Sequence, residues 1–342
     1  MTLWVVRCGG DSAYELEAYE KKFVGIGWGG LGNLSDFKTI EDLRTFYSKI
    51  QSDEKLGAIR TNVSQVFSFL NRIQIGDLVA LPIRSTASIA FGRITGNYRY
   101  SPDAHPYVNH QRTVEWIGSP IPRSQFDQDL LFTFGAFLTV FRAQRNDAEN
   151  RVLSMLGKPM ATSSTSVATP SNEDESLEEN VPLNIEGFTQ DQLRKYITRK
   201  FAGHDLAKLV GEILCAEGYS VMISPEGPDG GVDVLAGGGK MGFEPPLIAV
   251  QVKSGSGVTD APTLRQLQGA MNDFNATHGL FVSWGGFNAG ALKASRKTFF
   301  SVQLWDSDEL MLHLTNSYDK LSDEMKSLIP LKRIWALMPE SE

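Results

Sequence analysis

The 342-residue chain has only two cysteines, Cys8 and Cys215, which lie far apart and form no CxxC pair. A structural zinc site of the usual spacing is excluded, and a reducing, cytoplasmic setting is expected. Positive charge is scarce as well: 33 Lys and Arg stand against 40 Asp and Glu, a net charge of -7. That excludes a chain-wide basic coat for gripping nucleic acid but leaves room for a local basic groove. No apolar run approaches the ~18 residues that span a bilayer, so no membrane partner is expected. The opening MTLWVVRCGG has neither the basic nor the apolar region of a signal peptide. Aromatic residues are missing from residues 160–182, MATSSTSVATPSNEDESLEENVP, which are Ser/Thr-rich and then acidic. Such a stretch cannot bury enough apolar surface to order itself. It is expected to be a disordered linker, residues 158–185, between a domain over 1–157 and another over 186–342.

The remainder, 42% hydrophobic and 21% charged overall, reads as globular. In the N-terminal part LWVVRCG and FVGIGWG read as strands and SAYELEAYEKK as a helix. TIEDLRTFYSKI and SQVFSFLNRI have helical spacing, with Thr39 and Asp42 suited to a helix start. DLVALPI, SIAFGRITGNYRY and RTVEWIG are strand-like. A small α+β domain with a curved sheet or open barrel follows. Its candidate ligand pocket combines Trp28, in the glycine-dense GIGWGGLGN, with Tyr98, Tyr100, Arg112 and Trp116. Aromatic walls with a few polar edges are what a flipped base requires, and the filling of a small barrel core is the plainer use of the same rings.

In the C-terminal part DLAKLVGEILCAEGY is an amphipathic helix with Leu206, Leu209, Val210, Ile213 and Leu214 in one stripe. SVMISPE, VDVLA and PLIAVQVKS suggest a meander of three strands. Alternating helices and strands from TLRQLQGAMNDF to SDELMLHLT suggest parallel pairing, hence an α/β sandwich around a mixed sheet.

Two of these strands carry polar residues. The period of two puts Gln251 and Lys253 on one face and Val250 and Val252 on the other. The connection GGGKMGFEPP is compatible with a hairpin that brings Asp233 beside them. A carboxylate, an amide oxygen and an ammonium on one patch suit a hard cation such as Mg²⁺, with the Val252 carbonyl as a further ligand. Lys253 would orient or deprotonate the attacking water, or neutralise charge on a phosphate. Metal-assisted phosphodiester hydrolysis is the reaction such a set runs, although a lone Asp–Lys pair across strands is often a plain salt bridge.

DGGVD followed by VQVKS, behind one helix and ahead of a helix–strand–helix unit, resembles the Mrr-type restriction endonuclease domain of the PD-(D/E)xK superfamily over about residues 195–315. The resemblance implies Asp233, Gln251 and Lys253 as catalytic residues in the QxK form, Asp233, Gln251 and Val252 as metal ligands, and Mg²⁺ as cofactor, with Mn²⁺ as the alternative. It also points to Asp229, in the family's D-G-G-x-D turn, and to Gln268, with Gln266, on the following helix. One departure stands out. The family's first helix commonly carries a Glu just ahead of a Leu-Val pair, where this chain has Ala207, so Asp205 or Glu212 would have to supply a second carboxylate. Lys253, Arg265, Lys293, Arg296 and Lys297 are candidates for a basic groove.

WVVRCG, FVGIGWGGLGNLSDF, GDLVALP and FGRITGNYRYSPD with HQRTVEW resemble the PUA/EVE-like modules attached to some restriction endonucleases, over most of residues 1–145. Together the resemblances imply a modification-dependent, type IV-like endodeoxyribonuclease acting on double-stranded, modified DNA. Cutting both strands needs two copies, so a homodimer or higher homo-oligomer is expected. A nuclease switched on by a small nucleotide, and an inactive DNA-binding protein, are the alternatives.

Overall fold

The computed structural model describes residues 2–9, 12–28, 30–136, 138–157, 185–225, 227 and 231–335. The expected linker lies almost wholly outside the described residues. Contacts divide the chain into two units, residues 1–83 with 88–188 and, for the most part, residues 189–335; the turn Arg84–Ala87 groups with the second.

The first unit opens with β1 (Leu3–Val6), α1 (Ser12–Glu20) and β2 (Phe23–Ile26). Two helices follow, α2 (Ile40–Ile50) and α3 (Leu56–Phe67). Thr39 caps α2 by accepting the backbone N–H of Asp42, as its position ahead of the apolar stripe predicts. The second helix starts earlier than SQVFSFLNRI suggests. Only its end lies there, and Ser68–Arg72 continue as a π-helical turn. Then come β3 (Leu78–Ile83), β4 (Ser88–Ile94), β5 (Arg99–Tyr100), β6 (His110–Trp116) and β7 (Ile121–Pro122). After α4 (Gln128–Phe134) and β8 (Val140–Arg142), α5 (Ala148–Met155) ends the unit's regular structure.

These strands form one curled, eight-stranded half-barrel sheet in the order β2-β6-β4-β3-β1-β8, with β5 on β6 and β7 on β4. All pairs are antiparallel except β1 with β3. Apolar residues at alternate positions, among them Leu3, Val5, Leu78, Ala80, Ile89 and Phe91, pack one face against α4 and α5. A second cluster joins Leu43 and Tyr47 of α2 to Ile59, Val63 and Val66 of α3, with Trp28 and Tyr98 at its margin.

The second unit contains α6 (Ile185–Lys200), α7 (His204–Ala216), β9 (Ser220–Ile223), β10 (Val234–Gly238), β11 (Glu244–Lys253), α8 (Ala261–Asp273), β12 (His278–Ser283), α9 (Ala289–Ser295), β13 (Val302–Trp305), α10 (Ser307–Ser317) and α11 (Asp323–Leu328). The five strands run β13-β12-β11-β10-β9. The first three are an antiparallel meander and the last three are parallel, as the sequence pattern predicts. Alternation sorts β11 between two cores. Val250 lies with α6, α7 and α10 on one face, and Ala249 with α8 and α9 on the other. Both faces are covered, so a polar side chain on this central strand is enclosed unless it stands at the strand end.

Candidate active site

β10 and β11 pair from Val234↔Val250 to Gly238↔Glu244. The strand expected from Val232 starts at Val234, and just before it Asp233 still donates its N–H to the carbonyl of Val250 at 2.8 Å. The Asp233 carbonyl accepts from Ser224 N–H at 2.9 Å, and Ser224 Oγ donates to the Val232 carbonyl at 2.6 Å. One step beyond the last pair, Asp233 stands opposite Gln251. Its Oδ2 accepts the N–H of Val252 at 2.7 Å.

Gln251 and Lys253 share the face of Ala249, beneath α8. Gln251 is 6% exposed, and its Oε1 is buried with no hydrogen-bond partner among the described residues. Lys253, the last residue of β11, is exposed. It is paired in register with Ser283 of β12, which is fully buried. Ser283 Oγ donates to Gly286 O at 2.9 Å and so accepts from Thr259 Oγ1 at 2.8 Å. This small network ties the loop after Lys253 to the loop after β12. Asp260 then caps α8 through Thr263 N–H at 3.0 Å, and that bond with the Thr263 hydroxyl holds its carboxyl below the usual range. The expected trio therefore converges at one end of the sheet.

The donor set can be tested against a cation. Among the described residues no three His, Cys, Asp or Glu side chains cluster as metal ligands. Asp233, the Val252 carbonyl and an orphaned amide oxygen fit a hard, oxygen-liking divalent ion. A buried acceptor without a partner costs free energy that a bound cation recovers.

Residues 198–313 match the family described as Restriction endonuclease, Mrr_cat, and residues 4–133 match the Domain of unknown function (DUF8426). The C-terminal unit carries a restriction endonuclease domain. Domains of this kind are generally dependent on a divalent metal. No curated protein matches the sequence. Two solved structures are similar at 12% identity: the DNA modification-dependent restriction endonuclease AspBHI, over 95% of this chain and 85% of that one with a TM-score of 0.32, and the MspJI restriction endonuclease in complex with a 27-mer oligonucleotide, over 96% and 80% with a TM-score of 0.30.

The remaining candidates of the endonuclease domain fall into place less completely. Ala207 is 1% exposed among Leu206, Leu209 and Val210, so a carboxylate there would be buried in apolar surroundings. Asp205 is exposed and pairs with Lys208 at 2.8 Å, which lowers its pKa. Glu212 accepts from Ser322 Oγ at 2.8 Å. Neither is bonded to the trio. Asp229 lies outside the described residues. Gln268, half-buried on α8, and Gln266, exposed, have no hydrogen bond among the described residues. Arg265, Lys293, Arg296 and Lys297 are all exposed, and they belong to the α8/α9 layer on the Gln251–Lys253 face.

The N-terminal candidates do not form one pocket. Arg112 is 4% exposed. It donates through Nε to Phe69 O at 2.7 Å and through Nη2 to Leu70 O at 2.7 Å, carbonyls of the π-helical turn. Burial pulls its pKa down to about 10. It braces the sheet and presents no free edge to a base. Trp116 ends β6 about 20 Å from His110 at strand rise, packs tilted against Tyr19 and donates to the Tyr19 carbonyl at 2.8 Å. Trp28 packs on the α2–α3 cluster. Tyr98 and Tyr100 both pack against His110, a residue that the strand pattern gave no reason to single out.

Proposed function

We propose that the chain is a modification-dependent endodeoxyribonuclease, in which the endonuclease domain hydrolyses DNA phosphodiester bonds with Mg²⁺ or Mn²⁺ and the N-terminal unit reads a modified base. The orphaned Oε1 of Gln251, opposite Asp233 and two residues before Lys253, is the observation that carries the reading.

Asp233, Gln251 Oε1 and the Val252 carbonyl would hold the cation. When bound, such an ion polarises a phosphoryl oxygen and acidifies a water molecule. The chain's own groups do the rest. The hydrogen bond from Val252 occupies one of about four lone-pair sites of the Asp233 carboxylate and fixes its orientation. Lys253 Nζ brings three donors and a positive charge to a water-facing strand end. There it can hold a scissile phosphate or orient the attacking water. Exposed cations of the α8/α9 layer supply backbone attraction that carries no sequence information, so a separate reader must provide specificity.

One site cuts one strand, and a double-strand break would take two copies. The test is cleavage of matched duplexes, unmodified or carrying 5-methyl-, 5-hydroxymethyl- or glucosylated cytosine, N6-methyladenine or phosphorothioate, with Mg²⁺ or Mn²⁺. Cleavage confined to one modified duplex supports the reading. Cleavage of none by the wild-type protein overturns it. Cleavage that requires an added nucleotide would move the N-terminal unit from reading DNA to sensing a signal.

A further inference from the structure

His110 opens β6 and is 1% exposed. In the sheet it lies between Ile26 of β2 and Tyr100 of β5. Its ring stacks on Tyr98 (centroids 5.9 Å apart, planes at 20°) and tilts against Tyr100 (5.3 Å, 47°). Tyr98 Oη accepts the N–H of Leu34 at 3.2 Å and lies 2.8 Å from His110 Nδ1. When the Tyr98 hydroxyl donates its own hydrogen to Nδ1, the neutral ring carries its hydrogen on Nε2. Burial lowers the histidine to about 4, so the ring is neutral at pH 7. Nε2 is buried and has no partner among the described residues.

Holding Tyr98 requires only Nδ1. The second nitrogen has no partner among the described residues, and such buried polar atoms are rare because they cost stability. The surroundings match a flat ligand. The loop after β2 and the loop before β6 press together: a Cβ on Gly27 would lie 2.0 Å from the carbonyl oxygen of Pro106. Beside them Tyr14, His105 and Tyr107 form a ring cluster, with centroids 4.5 to 5.8 Å apart, and Tyr107 is 53% exposed. Tyr100 is half-buried on a strand of only two residues.

We propose that Tyr98 donates to Nδ1 and that His110 Nε2–H donates to a carbonyl oxygen or ring nitrogen on the edge of a flipped nucleobase, which packs against Tyr100 at this end of β6. The proposal rests on the base-reading role above and names the donor for it. Aromatic stacking with an edge hydrogen bond is how extruded bases are held.

The test uses the full chain in EDTA, so that nothing is cut, with fluorescence anisotropy on the same matched duplexes. His110→Asn keeps an oxygen near the Nδ1 position for Tyr98 but has no atom at Nε2; His110→Gln places an amide N–H there. Loss of one edge hydrogen bond predicts about tenfold weaker binding of the preferred duplex by His110→Asn and recovery of most of it by His110→Gln. In ¹⁵N-histidine-labelled wild type the Nε2 resonance of His110 should shift when that duplex is added, a readout independent of any variant. Wild-type affinity in His110→Asn, or an unmoved Nε2 resonance on saturation, overturns the inference and leaves a core histidine. If wild type binds all duplexes alike yet His110→Asn is weaker, the base contact stands and the modification reading fails. If neither differs, both fail.

Discussion

Asp233 Oδ2 accepts the backbone N–H of Val252 at 2.7 Å. The carboxylate proposed to hold the cation thus also clips the end of β10 to β11, and a substitution there acts twice. Asp233→Ala should abolish cleavage and cost about 1–2 kcal/mol of stability from the unpaired Val252 N–H. Asp233→Asn keeps an acceptor oxygen, so its stability should stay near wild type while cleavage falls by roughly 10²–10³-fold. Urea unfolding beside a single-turnover cleavage assay separates the two effects.

Gln251 carries a buried oxygen with no partner among the described residues. Gln251→Leu should therefore raise stability by about 1 kcal/mol in EDTA while abolishing cleavage, because the acceptor's desolvation cost disappears. Gln251→Glu places a second carboxylate opposite Asp233. It should lower Tm in EDTA through like-charge repulsion and show a larger Tm gain with Mg²⁺ than wild type. Differential scanning calorimetry with and without the ion measures both.

Lys253 stands exposed at the strand end, whereas Lys293, Arg296 and Lys297 are exposed on the α8/α9 layer. Lys253→Ala should lose cleavage with DNA binding largely kept. Replacing Lys293, Arg296 and Lys297 by Ala should weaken binding of all sequences similarly and reduce the slope of log K against log salt by about one per lost phosphate contact. Salt titrations of binding by anisotropy decide this.

Asp306 caps α10, accepting the N–H groups of Asp308 and Glu309 at 2.9 and 3.1 Å, yet its pKa is pushed up to about 6, chiefly by burial. An acid whose folded pKa exceeds its unfolded value holds its proton longer in the native state. Its contribution to stability is present below about pH 4 and is lost as pH rises to about 6. Asp306→Asn keeps a good cap without the charge. It should flatten the fall in stability between pH 4 and 6 and be more stable than wild type at pH 7, by urea midpoints across that range.

Much of the endonuclease domain was legible because β11 separates two cores. Val250 and Val252 alternate with Ala249, Gln251 and Lys253, and a period of two leaves its mark in sequence. The meander and the parallel pairs followed from strand and helix order. The start of β10 did not: regular pairing begins only at Val234, although Asp233 is already bonded through its backbone to Val250 and Ser224. Arg112 read as a ligand group because its partners are backbone carbonyls of a π-helical turn, where the wider repeat departs from regular helical pairing and no side-chain pattern shows it. His110 was missed because its meaning depends on Tyr98, twelve residues away, and on an absence at Nε2.

The β10–β11 hairpin has a further consequence. Its pairing runs from Val234↔Val250 to Gly238↔Glu244, so the connecting tip, with Met241 74% and Phe243 77% exposed, lies beyond Gly238, which is itself about 17 Å along β10 from Asp233. Register is set by the ladder and the chemistry by its far end. The tip is therefore the natural place to splice in extra residues, a fluorophore or a tether while leaving cutting untouched.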